Sequence, residues 1–427
     1  MSPNKVGNYR WVVVALLFFA TTINYLDRQI IGLLKPTLET QFHWTEIDYG
    51  KIVMAFQAAY AIGLLVFGGF IDKIGTKLGY TLSLIIWSLA AMGHAIVKST
   101  FGFVVARAAL GLGESGNFPA AIKAIAEWFP IKERAFATGI FNSGANIGAV
   151  AAPVMVPWIL GIYGWQMAFL ITGAIGFIWL IFWLLFYEIP SRQEKLTVAE
   201  YEYIHSDQHQ TFNNKSKIKW VQLLSIRQTW TFVAGKLLTD PIWYFFLFWL
   251  PSYFSSTFNL DLKKPSLPLV IVYTATTFGS IGGGYLSSWF IKIGWPVFKA
   301  RKTAMFVFAV CVVPIIAARF ATNIWQAVGL IGLAAAAHQA WSATIFTTAS
   351  DMFPKRAISS VVGIGSMAGA VGGIFFPLLI GYILETYKNA GHIITGYNII
   401  FTISGFAYLL AWVIMHLLSP KMKQVEL

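Results

Sequence analysis

The sequence predicts an all-α integral membrane protein with twelve transmembrane helices arranged as two pseudo-symmetric six-helix bundles. Three observations predict it. The 427 residues are 57% hydrophobic and only 11% charged. Twelve apolar stretches have the length of a bilayer span, and short motifs in the first half recur in the second. A soluble chain carries roughly 25% charged residues, because even a large core needs a polar skin. With a mean hydropathy of +0.65, most of this surface must have lipid as its solvent.

The apolar stretches run over 11–34, 48–71, 79–97, 100–127, 135–160 and 165–187, then over 228–255, 266–291, 303–319, 324–352, 357–385 and 395–418. Spans 4 and 10 carry enough polar residues that hydropathy alone marks them weakly. The first stretch is too long for the core of a cleaved signal and is followed by no small-residue cleavage site. It also holds Asn24, Asp27 and Arg28, which a discarded segment has no use for, and is therefore read as span 1. The polar interval 188–227 separates a first bundle (1–187) from a second (228–427). Within it, residues 196–204 read as a short amphipathic helix, with Thr197 as N-cap and Glu200 completing a capping box.

Twelve spans put both termini on one side. Of the 31 lysines and arginines, 20 fall in the segments on the side of the amino terminus and 7 in those on the other. Positive charge accumulates in cytoplasmic loops, so both termini are expected in the cytoplasm. The short loops and the lack of targeting signals suggest a bacterial inner membrane.

The net charge of +13 does not mark a nucleic-acid-binding protein, because the basic residues are scattered through short loops rather than gathered into a stripe. The single cysteine, Cys311, lies in an apolar run, so an intrachain disulfide is impossible and no metal cluster is suggested. Zinc-spaced histidines, a serine nucleophile elbow and paired catalytic carboxylates are all missing. The sequence thus calls for no cofactor and no enzyme activity. Solute transport is the expected function, with a channel or receptor as the competing class. Repeated halves and ionisable groups at depth disfavour a channel, which has no need of alternating access. A monomer is expected.

The repeat is visible in Trp128-Phe129-Pro130-Ile131-Lys132-Glu133-Arg134-Ala135 against Met352-Phe353-Pro354-Lys355-Arg356-Ala357. Small residues follow each motif, as Gly144, Gly148 and Pro153, then Gly369, Gly373 and Pro377. Four-residue spacing of small side chains lets helix backbones approach closely. A half-chain repeat of this kind points to a two-bundle transporter with its site between the halves.

Gly68-Gly69-Phe70-Ile71-Asp72-Lys73-Ile74-Gly75-Thr76-Lys77 resembles the hallmark loop of the major facilitator superfamily. The resemblance implies that family's fold. Asp72 sits where a helix end and basic groups can hold it, as part of a gating latch. After span 8 the corresponding loop keeps Gly283-Gly284-Tyr285 and Arg301-Lys302 but has lost the acid. More narrowly, the chain resembles the anion:cation symporter family, through Asn24-Tyr25-Leu26-Asp27-Arg28, Arg107-x3-Gly111-x2-Glu114 and Glu127-Trp128-Phe129-Pro130. Asp240-Pro241-Ile242-Trp243-Tyr244, Ala337-His338-Gln339-Ala340 and Ser350-Asp351-Met352-Phe353 resemble the hexuronate transporters within it.

The residues themselves point the same way. Asp27, Arg28, Arg107, Glu114, Lys236 and Asp240 fall within spans. Each costs about 2.5–3.5 kcal/mol on insertion scales, roughly 15–20 kcal/mol together if unpaired. Pairing in a wet cavity resolves that cost. Arg28 is expected to take a substrate carboxylate, because a guanidinium offers it two parallel donors. Asp27 and Glu114 are the expected proton carriers, and the resemblance implies the same roles. Arg107 stands seven residues from Glu114 on one face of span 4, either in the site or in a static lattice. Lys236 and Asp240 are spaced to pair on span 7, where Pro241 allows a kink; both are read as structural or gating residues, with a substrate role as the alternative. Hydroxyl partners for a sugar acid are sought among Tyr25, Tyr60, Asn142, Tyr244, His338, Gln339 and Ser366. The expected cargo is a small organic anion, a hexuronate first, with aldonates, aldarates, phosphate and amino-sugar acids as alternatives. Protons are the coupling ion that the resemblance implies; the sequence alone leaves sodium open.

Overall fold

A computed structural model describes residues 6–206, 220–353, 355–422 and 425. Every regular element among them is helical. Hydrocarbon offers the backbone no hydrogen-bond partner, so a spanning segment must satisfy its own amides, and the helix does this within one segment. The first half contains α1 (Tyr9–Phe42), α2 (Glu46–Ile74), α3 (Thr76–Gly93), α4 (Thr100–Glu114), α5 (Asn117–Trp128), α6 (Ile131–Tyr163) and α7 (Trp165–Phe186). A short α8 (Val198–His205) follows. The second half contains α9 (Trp220–Leu224), α10 (Arg227–Phe248), α11 (Leu250–Phe258), α12 (Leu267–Lys292), α13 (Val297–Val312), α14 (Ile324–Met352), α15 (Lys355–Asn389) and α16 (Ile393–Leu418).

Ten of the described helices are long and apolar enough to cross a membrane, and the protein is multi-pass. Span 4 falls short, as expected, because it is divided into α4 and α5 at Ser115–Gly116. Span 10 is marked only weakly, as expected: its stretch Ile324–Thr348, which holds His338 and Gln339, is among the least apolar of the ten. Span 7 falls short as well. It carries Lys236 and Asp240 and is divided at Trp249 into α10 and α11. The helix runs on through Pro241, and the interruption comes later, next to Pro251.

The chain forms two compact units. The first comprises 1–30, 55–152 and 159–216; the second comprises 31–54, 153–158 and 217–427. Compactness therefore divides α1, α2 and α6 within their lengths.

In the first unit, α3 and α7 are joined by an aromatic ladder. Trp179 stacks on Trp183 at 5.3 Å, Trp183 on Tyr187 at 3.9 Å, and Tyr80 meets Trp183 edge-on at 4.9 Å. Their polar edges are spent on backbone: Trp179 Nε1 donates to the Leu16 carbonyl and Trp183 Nε1 to that of Lys77. The small-residue spacing in α6 serves close approach to α1. A Cβ added at Gly148 would collide with the Thr22 carbonyl oxygen and the Tyr25 side chain. Gly148→Val is therefore expected to cost about 1–3 kcal/mol by overpacking and to lower Tm in detergent. Gly139→Val, on the same helix where a Cβ meets nothing within 4 Å, serves as the control and is expected to leave Tm unchanged.

The α8 segment is fastened to the same unit. Thr197 caps it as expected, accepting from the Glu200 N–H at 3.2 Å. The Glu200 side chain does something the local motif does not predict. Its buried carboxylate accepts from the backbone N–H groups of Tyr9 and Arg10, each at 3.1 Å, and pairs with the Arg10 guanidinium. It thus caps the free N–H groups and positive dipole end of α1. Arg10 and Tyr203 both reach Glu133 as well. Residues 207–219 of the linker and Pro354 of the repeat motif lie outside the described residues.

Around the hallmark loop, Lys123 donates to the Ile71 carbonyl at 2.9 Å and Thr76 to Glu127 at 2.7 Å. Lys77 pairs with Glu188 at 2.9 Å. Burial works to raise the Glu188 carboxyl, but Lys77 and the Ile189 N–H hold it below the usual range. The Asp72 side chain lies outside the described residues.

The second unit packs α12 against α14 and α10 against α15. Tyr253 and Phe401 meet at 4.9 Å in its interior, and Trp341 is fully buried. Residues 31–54 belong here: Tyr49 donates to the Phe248 carbonyl at 2.8 Å, and Lys35 pairs with Glu46 at 2.7 Å.

Candidate functional site

Three helices of the first unit bring the charges of spans 1 and 4 together. Arg28 projects from α1 and Glu114 from the end of α4, both almost wholly buried. Two guanidinium nitrogens, Nε and Nη2, approach one carboxylate oxygen of Glu114 at 2.9 and 2.8 Å. Nη2 also reaches Asn24 Oδ1 at 3.3 Å, one helical turn back. The guanidinium is boxed by aromatic rings: Tyr25 at 4.7 Å, Tyr60 at 4.8 Å and Phe56 at 5.1 Å. Tyr60 and Phe56 are stacked on α2. Cation–π attraction in such a box offsets part of the cost of desolvating the cation.

Arg107 completes the cluster from α4. Its Nη2 donates to the backbone carbonyl of Arg28 at 3.3 Å, and its guanidinium covers Phe56 at 4.6 Å. Phe56 therefore carries a cation from each of two helices. The seven-residue spacing of Arg107 and Glu114 does place both on the side of α4 that meets Arg28.

Asp27 lies on the neighbouring stripe of α1, since adjacent residues diverge by about 100° around the helix. It stands beside Thr172 of α7 and within electrostatic reach of Glu114 and Arg107. Neither of its buried oxygens has a hydrogen-bond partner among the described residues, and the same holds for Oε1 of Glu114. The Thr172 hydroxyl donates to the Ala168 carbonyl of its own helix. Asn142, on α6, is exposed.

A second cluster forms within the second unit. Lys236 and Asp240 pair at 2.7 Å on α10, and the Lys236 ammonium stands over the Phe346 ring. The carboxylate of Asp240 lies against Gly369 of α15, where a side chain would collide with it. His338 on α14 is buried, bonds through Nδ1 to the Tyr408 hydroxyl of α16, and stacks on Trp243. Tyr244 stacks on Phe248, and Gln339 and Ser366 are half-buried.

The sequence thus named Tyr25, Asp27, Arg28, Tyr60, Arg107 and Glu114, which the fold gathers into one cluster, and Lys236, Asp240 and His338, which it gathers into another. It missed Asn24, Phe56 and Thr172 in the first, and Trp243 and Tyr408 in the second. Asn24 and Trp243 stood inside motifs already noted. Phe56 and Tyr408 carry no local signal, since each is one aromatic among many.

The match to known proteins takes in the first cluster and all of the second but Tyr408. Residues 17–377 fit the family described as the Major Facilitator Superfamily. The chain is 34% identical over 386 residues to the hexuronate transporter of Escherichia coli (strain K12), covering 90% of this chain and 89% of that protein. It is 39% identical over 291 residues to the galacturonate transporter of Dickeya chrysanthemi, covering 67% and 84%. Among solved structures, a bacterial homolog of the human lysosomal transporter Spinster superposes with a TM-score of 0.79 at 18% identity, covering 97% and 98%. At that identity the likeness concerns the fold alone.

Proposed function

The chain belongs to the major facilitator superfamily, and from that premise we propose that it is a proton-coupled symporter importing a sugar-acid anion, a hexuronate such as glucuronate or galacturonate, by alternating access. Its proposed setting is a bacterial inner membrane, with both termini cytoplasmic. The observation that carries the reading is the buried Arg28, boxed by aromatic rings and facing one carboxylate whose second oxygen is unsatisfied.

A sugar-acid carboxylate and the Glu114 carboxylate compete for the same guanidinium. Removing Glu114 from Arg28 without replacement leaves a buried cation uncompensated, at a cost of about 3–5 kcal/mol. A proton on Glu114 cancels its claim on Arg28, and the substrate carboxylate then takes the vacated donors with the two-pronged geometry that guanidinium favours. Proton and substrate thus favour each other's binding, and linkage makes the effect reciprocal. The Tyr25 and Tyr60 rings flank the guanidinium, and their hydroxyls are the partners offered to the hydroxyls of a sugar.

Asp27 supplies a second proton site. It is wholly buried beside Thr172 and within electrostatic reach of Glu114. Asp27, Arg28, Arg107 and Glu114 sum to zero charge when all are ionised. One proton with a monoanion keeps that sum, and a second proton makes the loaded carrier positive by one. The second proton lets the membrane potential contribute about 2.3 kcal/mol per 100 mV.

Purified protein in liposomes is expected to accumulate labelled glucuronate against its gradient when the lumen is alkaline. An interior-negative potential at fixed pH gradient is expected to raise accumulation further, and unlabelled galacturonate to compete. Accumulation indifferent to pH in sodium-free buffer would remove proton coupling. Uptake competed by galactonate or glucarate but not by galacturonate would move the substrate class to aldonates or aldarates.

A further inference from the structure

We propose that Trp243 is the platform on which the pyranose ring of the transported uronate stacks, with His338 and Tyr408 as the positioning residues that hold the indole in place. The inference rests on the uronate reading above and names a specificity-determining residue for it.

Trp243 lies midway along the α10–α11 pair, which runs from Arg227 to Phe258. A tryptophan anchoring a helix at the membrane surface belongs near a span end, so depth argues against that role. The ring is only half-buried. Lys236, Asp240 and Trp243 fall within about 60° of one another around α10, so the indole shares a helix face with an ion pair. Charged side chains at membrane depth turn to protein or water rather than to lipid tails. The open part of the indole therefore shares the helix face that is turned away from the lipid tails.

One face of the ring is already used. The His338 imidazole lies parallel to it, with an interplanar angle of 2° and ring centres 5.2 Å apart. His338 is only 3% exposed, and its Nδ1 is bonded to the Tyr408 hydroxyl, which is 3.4 Å from the Thr239 carbonyl one turn below Trp243. One proton arrangement satisfies this chain: His338 Nδ1–H donates to Tyr408, and the Tyr408 hydroxyl donates to Thr239. Two side chains, His338 of α14 and Tyr408 of α16, together with the Thr239 carbonyl of α10 thus fix the plane of the indole. A ring held so firmly on one face, and open elsewhere at membrane depth, is pre-organised for a flat apolar ligand surface. A pyranose offers one in its axial C–H groups, while the hydroxyls around its rim stay free for hydrogen bonds.

The experiment compares wild type, Trp243→Phe and Trp243→Leu reconstituted in liposomes, after size-exclusion profiles establish that each is folded. Trp243→Leu is expected to raise KM for glucuronate about tenfold, the order expected for losing one apolar contact face, with kcat within about twofold. Trp243→Phe, which keeps an aromatic plane, should lie between. Saturation-transfer NMR on the purified proteins should show the ring C–H protons of glucuronate receiving saturation in wild type and losing it selectively in Trp243→Leu. Three results would overturn the platform: an unchanged KM in Trp243→Leu, a Phe variant as impaired as the Leu variant, or a loss carried wholly in kcat. Failure of the wild-type protein to take up any uronate would instead remove the transport reading, and the platform with it.

Discussion

Arg28→Ala is expected to abolish concentrative sugar-acid uptake, a loss of at least about a hundredfold, since removing one partner of a buried charge pair costs about 3–5 kcal/mol and each 1.4 kcal/mol is a factor of ten. The guanidinium has Glu114, Asn24 and three aromatic rings around it. Alanine removes the centre of all these contacts at once. Arg28→Lys is expected to recover only a small part of the activity, because an ammonium cannot present two parallel donors to a carboxylate.

Loss of uptake alone does not separate a substrate clamp from an ion pair that merely holds α1 to α4. The single variant leaves Glu114 buried and unpaired, which could destabilise the protein. The deciding variant is Arg28→Met with Glu114→Leu, in which both charges give way to apolar groups of similar volume. Replacing a complete buried pair in this way is often neutral or stabilising. If the pair is structural, this protein folds and transports. If Arg28 binds the substrate, it folds, with a Tm near that of wild type, and transports nothing. Uptake by the double variant at even a tenth of the wild-type rate would remove Arg28 from the binding site.

The contrast between charge and aromaticity explains what the sequence could and could not disclose. An arginine in a hydrocarbon span announces itself, because few environments tolerate it; Asp27, Arg28, Arg107 and Glu114 could be picked out one by one for that reason. Their helical spacing even indicated which could share a face. Phe56 is different. Its ring meets the guanidinium groups of both Arg28 and Arg107, yet an apolar ring in an apolar helix is indistinguishable from lipid-facing filler until its neighbours are known. Tyr408 is hidden in the same way in α16.

The helices themselves follow from hydropathy wherever a span is continuous. Spans 4 and 7 escape it because each is broken, at Ser115–Gly116 and at Trp249, and each carries the charges that make it useful. Glu200 marks another limit. Its capping motif is local and was legible, but its carboxylate acts on the amides of Tyr9 and Arg10, 191 and 190 residues away in sequence. Periodicity and local motifs hold no information about such a partner.

The carboxylates of α1 and α4 carry the second large expectation, and they should fail differently. Glu114→Gln mimics the protonated acid permanently, so Arg28 stays available to the substrate. Exchange of labelled for unlabelled substrate across the liposome membrane should continue, because loaded carrier can still reorient. Net accumulation driven by a pH gradient should fall to the equilibrium distribution, since the empty carrier can no longer discharge a proton to re-form the Arg28–Glu114 pair. Asp27→Asn removes the other acid, whose oxygens have no hydrogen-bond partner among the described residues, and leaves that pair intact. Accumulation driven by the pH gradient should persist, with one proton moved per substrate in place of two. The electrical component should vanish. At an interior-negative potential of 100 mV that component is about 2.3 kcal/mol, or roughly fiftyfold in the accumulation ratio. A potassium diffusion potential set with an ionophore, at fixed pH on both sides, measures it directly. Should Asp27→Asn respond to that potential as wild type does, the second proton travels elsewhere. If Glu114→Gln still concentrates substrate, the competition between carboxylates for Arg28 is not what couples the two gradients.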